Sequence, residues 1–395
     1  TDLESMGTHA FYVPDSLDFI LESDNTAAAD YDWAGDNRIV DTETVIYKLT
    51  ETALAYVNGE TLIIRGNGPA CDYSGNSQPW KNDSFTTVLI KEGITYLGTY
   101  SFYQMTGITT VIFPKVFTGI GDYAFSGCTG LSQIQLPEEL DRIGGYAFHE
   151  CTALTRFGFP DMVRTIGSNA FSGCSALQQV TLPKGLTNLG EKAFYGCTSV
   201  GTLNIECTSL DTISNYAFEG CSALRTLSVP SSVKRIARGA FTSCEKLNTI
   251  RFSEGIVTLE GGAFADCGSL ISVRIPRSLT TVSVYNDAGP FGASLQKATF
   301  EEKTRAIAAN LFYGCTGLEE VSLPDTLSEI GADAFYGCTS LSELILPNTM
   351  SLIGDRAFYE CVALQDAVLP EHIEIIGAGA FYGCVGIEEI RDQSA

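Results

Sequence analysis

The chemistry this sequence could carry begins with its cysteines. There are thirteen, and eleven of them stand three places after a phenylalanine: Cys128, Cys151, Cys174, Cys197, Cys221, Cys244, Cys267, Cys315, Cys338, Cys361 and Cys384. Thiols so regularly placed could pair as disulfides or hold a soft metal. Zinc needs paired ligands such as C-x-x-C, and that pattern does not occur. Equal positions in neighbouring coils of a repeat lie about 5 Å apart, within reach of a disulfide. A file of equal positions offers no logic for choosing partners, however. The expectation is a column of buried, reduced thiols acting as small hydrophobes. Cys71 and Cys207 lie outside the column, so the count does not fix a redox compartment.

Nothing else assembles into a catalytic set. The three histidines, His9, His149 and His372, are far apart in the chain, and no Ser-His-Asp or Cys-His arrangement can be built from them. Neither G-x-x-x-x-G-K-[ST] nor H-E-x-x-H occurs. Carboxylates are plentiful, but a glycosidase pair needs a cleft that desolvates one of the two, and a stacked-repeat surface offers none. No catalytic residue, cofactor or metal is assigned, and no enzymatic activity is expected. Asp30-Tyr-Asp-Trp-Ala-Gly-Asp, with Asp41 at the twelfth place, has the outline of a calcium loop, yet Ala34 stands where a ligand is wanted and Arg38 at the ninth place. A solvated acidic loop is the expectation there.

Two surface patterns could bind instead of react. Arg251 and Arg274 share one strand position, with Lys297 on the next strand, and the same face turns acidic at Glu320, Glu343, Asp366 and Glu389. Such a face could lie against a partner of opposite charge pattern, or be solvated and interleaved with counter-charges. Tyr313, Tyr336, Tyr359 and Tyr382 form a second stripe, each just after a repeated Phe. Stacked tyrosines can hold sugars or protein loops. They can also pack on one another and shield the coil.

The elements that position these residues follow from a repeat of about 23 residues. Phe102, Phe125, Phe148, Phe171 and Phe194 are each 23 apart; Phe218, Phe241, Phe264, Phe291, Phe312, Phe335, Phe358 and Phe381 follow. One copy reads Leu131-S-Q-I-Q-L-P-E-E-L-D-R-I-G-G-Y-A-Phe148-H-E-Cys151. A period of 20–30 residues marks a solenoid whose units bury their apolar sides only against neighbours. Leu177-Gln-Gln-Val-Thr-Leu alternates with period two and predicts a short strand, which Pro183 ends. Leu186-Thr-Asn-Leu predicts a second extended piece, with Gly190 permitting a sharp turn. Ala193-Phe-Tyr-Gly-Cys predicts a single helical or 3-10 turn. Register breaks twice: near Cys207, where one residue is added before Phe218, and at residues 283–294, where Phe264 and Phe291 are 27 apart and Ser294 replaces the cysteine.

Three regions result. Residues 1–43 are a strongly acidic, non-repeating leader. Residues 44–84 alternate apolar and polar side chains between Gly-rich turns and predict a β-hairpin cap over the first edge of the stack. Residues 85–395 form the solenoid, about 13 coils of about 23 residues. The net charge of −23 argues against nucleic acid and anionic membrane surfaces. No run approaches the 18 apolar residues a membrane span needs, and no signal peptide is present at Thr1. A chain lacking an initiator Met reads as a mature or trimmed form, from which an export signal would have been removed.

The units resemble the BspA-type leucine-rich repeat of bacterial surface proteins, in the form L-x-x-I-x-L-P-x-x-L-x-x-I-G-x-x-A-F-x-G-C. The resemblance covers roughly Val45 to Arg391, and Gly59-Glu-Thr-Leu-Ile-Ile-Arg-Gly-Asn-Gly is similar to the cap module that precedes such repeats. It implies a right-handed leucine-rich-repeat stack, an α/β repeat solenoid dominated by short strands, on an extracellular or cell-surface protein. It also implies adhesion or protein binding, with no shared catalytic residues. The partner expected is a host or neighbouring-cell protein, or a glycan, contacting the repeat surface at Arg251, Arg274, Lys297 or the tyrosine stripe. Two other readings stay open: a spacer projecting another domain roughly 60 Å, and a carbohydrate-binding module.

Overall fold

A computed structural model describes residues 38–40, 45–365, 367–387 and 390–392. The acidic loop at Asp30–Asp36, His9, Asp366 and Glu389 fall outside the described residues. The N-terminal part is an antiparallel meander. Arg38–Val40 pairs with Val45–Lys48, which pairs with Ala53–Asn58, which pairs with Thr61–Gly66. Gly59 makes the last turn at φ +58°, a conformation with little cost only for glycine. The pairing then changes sense. Thr61–Gly66 runs parallel to Thr87–Ile90, and that strand runs parallel to Thr110–Ile112. The last strand of the cap is therefore also the first strand of the stack.

Later coils place short strands on two ladders. The first comes from the L-x-x-I-x-L segment. In Thr226–Val229 and Ser272–Ile275 exposed and buried residues alternate, as the period-two pattern requires. Gln179–Leu182 ends at Pro183, which has no N–H to offer. The second ladder consists of two-residue strands paired one period apart, such as Arg142↔Thr165 and Thr165↔Asn188. It has two gaps, between Asn188–Leu189 and Thr212–Ile213 and between Thr281–Val282 and Ala306–Ile307. Both gaps coincide with the register breaks.

Inside, the repeated phenylalanines form one continuous ring stack. Neighbouring centroids are 5.1–6.0 Å apart from Phe102 to Phe381, and Trp80 adds a ring at 5.6 Å from Phe102. With Trp80 the stack has about 14 turns. The loosest contact, 6.0 Å, follows Phe291 in the coil that carries the insertion. The repeated cysteines lie alongside, buried and unpaired. Each Sγ sits 3.0–3.8 Å from the carbonyl of the preceding coil's Phe. The thiol is therefore a weak donor as well as a small hydrophobe. Burial pushes Cys174, Cys221, Cys267 and Cys315 up to about 12.

Two local expectations are corrected. The Ala-Phe-x-Gly-Cys segment is not a helical or 3-10 turn; there is no helix among the described residues. The residues two before and two after the Phe adopt left-handed backbone, as at Tyr123 (φ 57°) and Gly127 (φ 75°), or Tyr146 (φ 55°) and Glu150 (φ 57°). A right-handed helix cannot pass through such residues. Each turn is instead tied to its neighbour, Phe125 N–H to the Ala147 carbonyl at 2.8 Å and Phe148 N–H to the Ala170 carbonyl at 2.7 Å. Gly190 is not left-handed either. A Cβ there would lie 2.3 Å from the Ser168 nitrogen, so the position needs glycine because adjacent coils touch.

Candidate binding surface

The three basic residues do not form a bare cationic patch. Arg251 and Arg274 project from strands Thr249–Phe252 and Ser272–Ile275 of the first ladder. Lys297 lies opposite Ser272 on the next strand, two places from the level of Arg274. Arg274 Nη2 is 2.9 Å from Glu301 Oε2, and Lys297 Nζ is 2.7 Å from Glu320 Oε2. Of the three, Arg251 alone has no acidic partner among the described residues, and it is exposed. Counter-charges interleave along this face, and exposed pairs of this kind contribute little to stability.

The tyrosine stripe is a stack. Tyr313, Tyr336, Tyr359 and Tyr382 have centroids 4.6, 4.8 and 4.9 Å apart and interplanar angles of 3°, 1° and 17°. Their inner faces are covered by one another, leaving edges and hydroxyls to the surroundings. Tyr382, the last, is 63% exposed. A second stack, Tyr100, Tyr123 and Tyr146, has centroids 4.6 Å apart and occupies the left-handed position two before the Phe.

The insertion lies beside the first stack. Tyr285 and Ala288 exchange two main-chain hydrogen bonds of 3.0 Å, and Asn286 and Asp287 between them have φ of 48° and 55°. Positive φ at both central residues defines a two-residue hairpin turn, which Asn and Asp tolerate better than other side chains. The tip is exposed. On one side Arg238 sits over the Tyr285 ring at 3.8 Å. On the other, Gly289 N–H donates to the Tyr313 carbonyl at 3.3 Å. Desolvation raises the Tyr313 phenol above its ordinary value, and Tyr336 and Asp287 add to the rise. The hairpin thus packs with the Phe-bearing turns, while Arg251 and Arg274 belong to the first ladder.

One signal in the sequence was missed. Asp141–Arg164, Asp161–Lys184, Glu254–Arg277 and Asp333–Arg356 are ion pairs of 2.8–3.1 Å whose members are 23 residues apart. An acid followed one period later by a base is readable once the period is known. No catalytic grouping emerges among the described residues. His149 Nδ1 is tied to the Ser172 carbonyl at 3.0 Å, and among the described residues no three His, Cys, Asp or Glu side chains converge as a metal site. No helix of the described residues is long and apolar enough to cross a membrane.

Several solved leucine-rich repeat proteins are similar to this chain. A solved leucine-rich repeat protein from Bacteroides ovatus is 25% identical with a TM-score of 0.58, over 87% of this chain and 94% of that one. One from Eubacterium ventriosum is 23% identical with a TM-score of 0.48, over 86% and 95%. A leucine rich cell surface protein from Faecalibacterium prausnitzii is 21% identical with a TM-score of 0.39, over 89% and 95%. No curated protein matches the sequence significantly. The family model for the BspA type leucine rich repeat region matches residues 76–201, 164–286 and 291–395, in six copies. With its strand-turn-Phe coil repeated through that whole span, the chain belongs to the BspA-type leucine-rich repeat family.

Proposed function

We propose that this protein is an extracellular or cell-surface adhesion module that binds a protein of a host or neighbouring cell. The tyrosine stack and the hairpin beside it would form the main contact, with Arg251 on the first ladder as a secondary cationic contact. Leucine-rich repeats are generally scaffolds for protein interaction, and family membership supports the class. The observation that carries the assignment of the surface is the hairpin Tyr285–Ala288. Among the described residues it departs from the repeat, and it lies next to a stripe of half-buried tyrosines whose last member, Tyr382, is exposed. Tyrosine edges combine apolar area with a hydrogen-bonding hydroxyl, a combination enriched in protein interfaces. Neutralisation of Arg274 and Lys297 by Glu301 and Glu320 argues against a broad electrostatic contact at those two residues.

The test is binding of labelled protein to epithelial cells and to co-resident bacteria, with and without protease treatment of their surfaces. Protease-sensitive binding that falls at least tenfold in a folded Tyr336→Ser/Tyr359→Ser variant, and less in Arg251→Glu/Arg274→Glu, fits the proposal. Binding that survives protease, or that both variants retain in full, would rule it out. The uninterrupted ring stack from Trp80 to Phe381 favours a second reading, a stiff spacer. A molecule acting only as a spacer would bind no cell in this assay.

A further inference from the structure

Phe194 and Phe218 are 24 residues apart, one more than the usual period, and across this step the second ladder opens. In the preceding steps the Asp141 carbonyl accepts N–H bonds from Arg164 and Thr165, and the Arg164 carbonyl accepts them from Thr187 and Asn188. The next bonds in the series would run from Asp211 and Thr212 to the Thr187 carbonyl, and from Ser214 to the Leu189 carbonyl. None of these main-chain bonds forms among the described residues. Ser214 meets the Leu189 carbonyl with its hydroxyl instead, at 2.5 Å. The series resumes with Lys234 and Arg235 on Asp211 and Ala237 on Ile213.

The coils do not part altogether. Gln179–Leu182 still pairs with Thr202–Ile205, and Lys192 N–H still reaches the Asn215 carbonyl at 3.0 Å. What remains is a side cleft of about 290 Å³, its walls including Asn188, Glu191, Thr212, Ser214, Asn215 and Arg235. The volume falls just below the usual range of small-molecule sites, and the cleft is open on one side, so it would hold a small ring without enclosing it. The N–H groups of Thr212 and Ser214 have no main-chain partner and stand in the half-exposed cleft wall, where a hydrogen-bonding ligand would replace water. Two side-chain amides, a carboxylate and the hydroxyls of Ser168, Thr212 and Ser214 supply donors and acceptors, the Ser214 proton being already given to the Leu189 carbonyl. Arg235 is already committed, with Nε and Nη2 at 2.8 and 2.5 Å from Glu260 Oε1, so no free cation invites an anion and Glu191 repels one.

We propose that this cleft is a saccharide subsite for a neutral, hexose-sized ring, whose hydroxyls replace the missing ladder bonds. It goes beyond the protein-binding reading and is independent of it, since the tyrosine stack begins at Tyr313 and the hairpin at Tyr285. The experiment is ligand-observed saturation-transfer NMR on the full chain with glucose, galactose, mannose and N-acetylglucosamine. At least one should bind with millimolar affinity, and Asn188→Leu/Asn215→Leu should weaken it tenfold or more. In wild type, that sugar should slow amide exchange in the peptide containing Thr212 and Ser214, a readout that does not depend on the variant folding. Absence of saturation transfer from all four sugars, or binding that leaves those amides unchanged, would overturn the proposal.

Discussion

Cutting the ring stack in its middle should cost far more than cutting it at its end. Phe194 is fully buried, stacked between Phe171 at 5.1 Å and Phe218 at 5.3 Å, with Phe159 edge-on at 6.3 Å. Truncating such a side chain to alanine costs about 3–5 kcal/mol, the sum of lost transfer energy and the cavity left behind. Phe381 is only partly buried and stacks on Phe358 alone, at 5.2 Å. Phe381→Ala should cost roughly half as much on the same basis. Stability in a solenoid is a sum over neighbouring units, so Phe194→Ala weakens two interfaces and Phe381→Ala weakens one. Long arrays need not unfold in one step. Urea denaturation followed by circular dichroism should therefore be paired with hydrogen exchange, which reads each coil separately. In Phe194→Ala, peptides between Phe171 and Phe218 should exchange roughly a hundred- to several-thousand-fold faster, with smaller effects several coils away. Equal costs at the two positions, or an unchanged midpoint for Phe194→Ala, would refute the idea that the ring stack is the energetic axis of the fold.

Other outcomes are expected from the same geometry. Iodoacetamide at neutral pH should modify none of the column cysteines until denaturant is added, with mass spectrometry as the readout; loss of mass in hydrogen pairs would reveal disulfides instead. Cys174, Cys221, Cys267 and Cys315 hold their protons up to about 12, against about 9 unfolded, so the unfolded state releases protons first. Their contribution is intact below pH 9 and declines as pH rises towards 12, by about 1.4 kcal/mol per thiol per pH unit; a stability flat from pH 8 to 11 would contradict this. Gly190→Ala should destabilise by about 1–3 kcal/mol despite an ordinary φ, because its Cβ would meet the Ser168 backbone, and thermal unfolding checks it. Glu150→Gly, at φ 57°, should be neutral or stabilising by up to about 1 kcal/mol, visible as a small rise in Tm.

The period, the two strands and the buried column were legible because each rests on an apolar side chain repeated at fixed spacing. Leu, Ile and Phe recur from coil to coil, and Cys follows eleven of the thirteen repeated phenylalanines. The turn around Phe was misread because its conformational demand is only partly written in glycine. The place two after Phe is Gly127 or Gly173 in some coils but Glu150 or Ser243 in others, and the place two before is Tyr123, Lys192 or Asp333. Ladder hydrogen bonds on both sides of the turn hold these residues in backbone conformations their side chains alone would avoid. The binding surface was less legible still. Arg251, Arg274 and Lys297 looked alike in sequence, yet Glu301 is 27 residues from its partner Arg274, a distance shifted by the insertion.

Both register breaks open the second ladder, and the reason bears on where specificity can arise. At the first break Thr202–Ile205 keeps four paired positions with Gln179–Leu182 before the added residue but does not pair with Thr226–Val229 after it; across the second, Ser272–Ile275 and Lys297–Phe300 keep four although they are 25 residues apart. The second ladder opens both times. Its strands are two residues long, so opening one step forfeits few hydrogen bonds, each of net worth about 1 kcal/mol. The first ladder has twice as many positions to lose, and its inward residues anchor the core. Extra residues therefore find the least resistance on the second ladder and the adjoining Phe turn. That side carries the polar cleft at Asn188–Asn215 and the hairpin at Tyr285–Ala288. A partner that tells one coil from the next must read such departures, because the ring stack repeats with nearly the same spacing throughout. Specific recognition should accordingly map to the second ladder and the turns, and substitutions confined to the first-ladder face should change on-rate and salt dependence more than the identity of the partner.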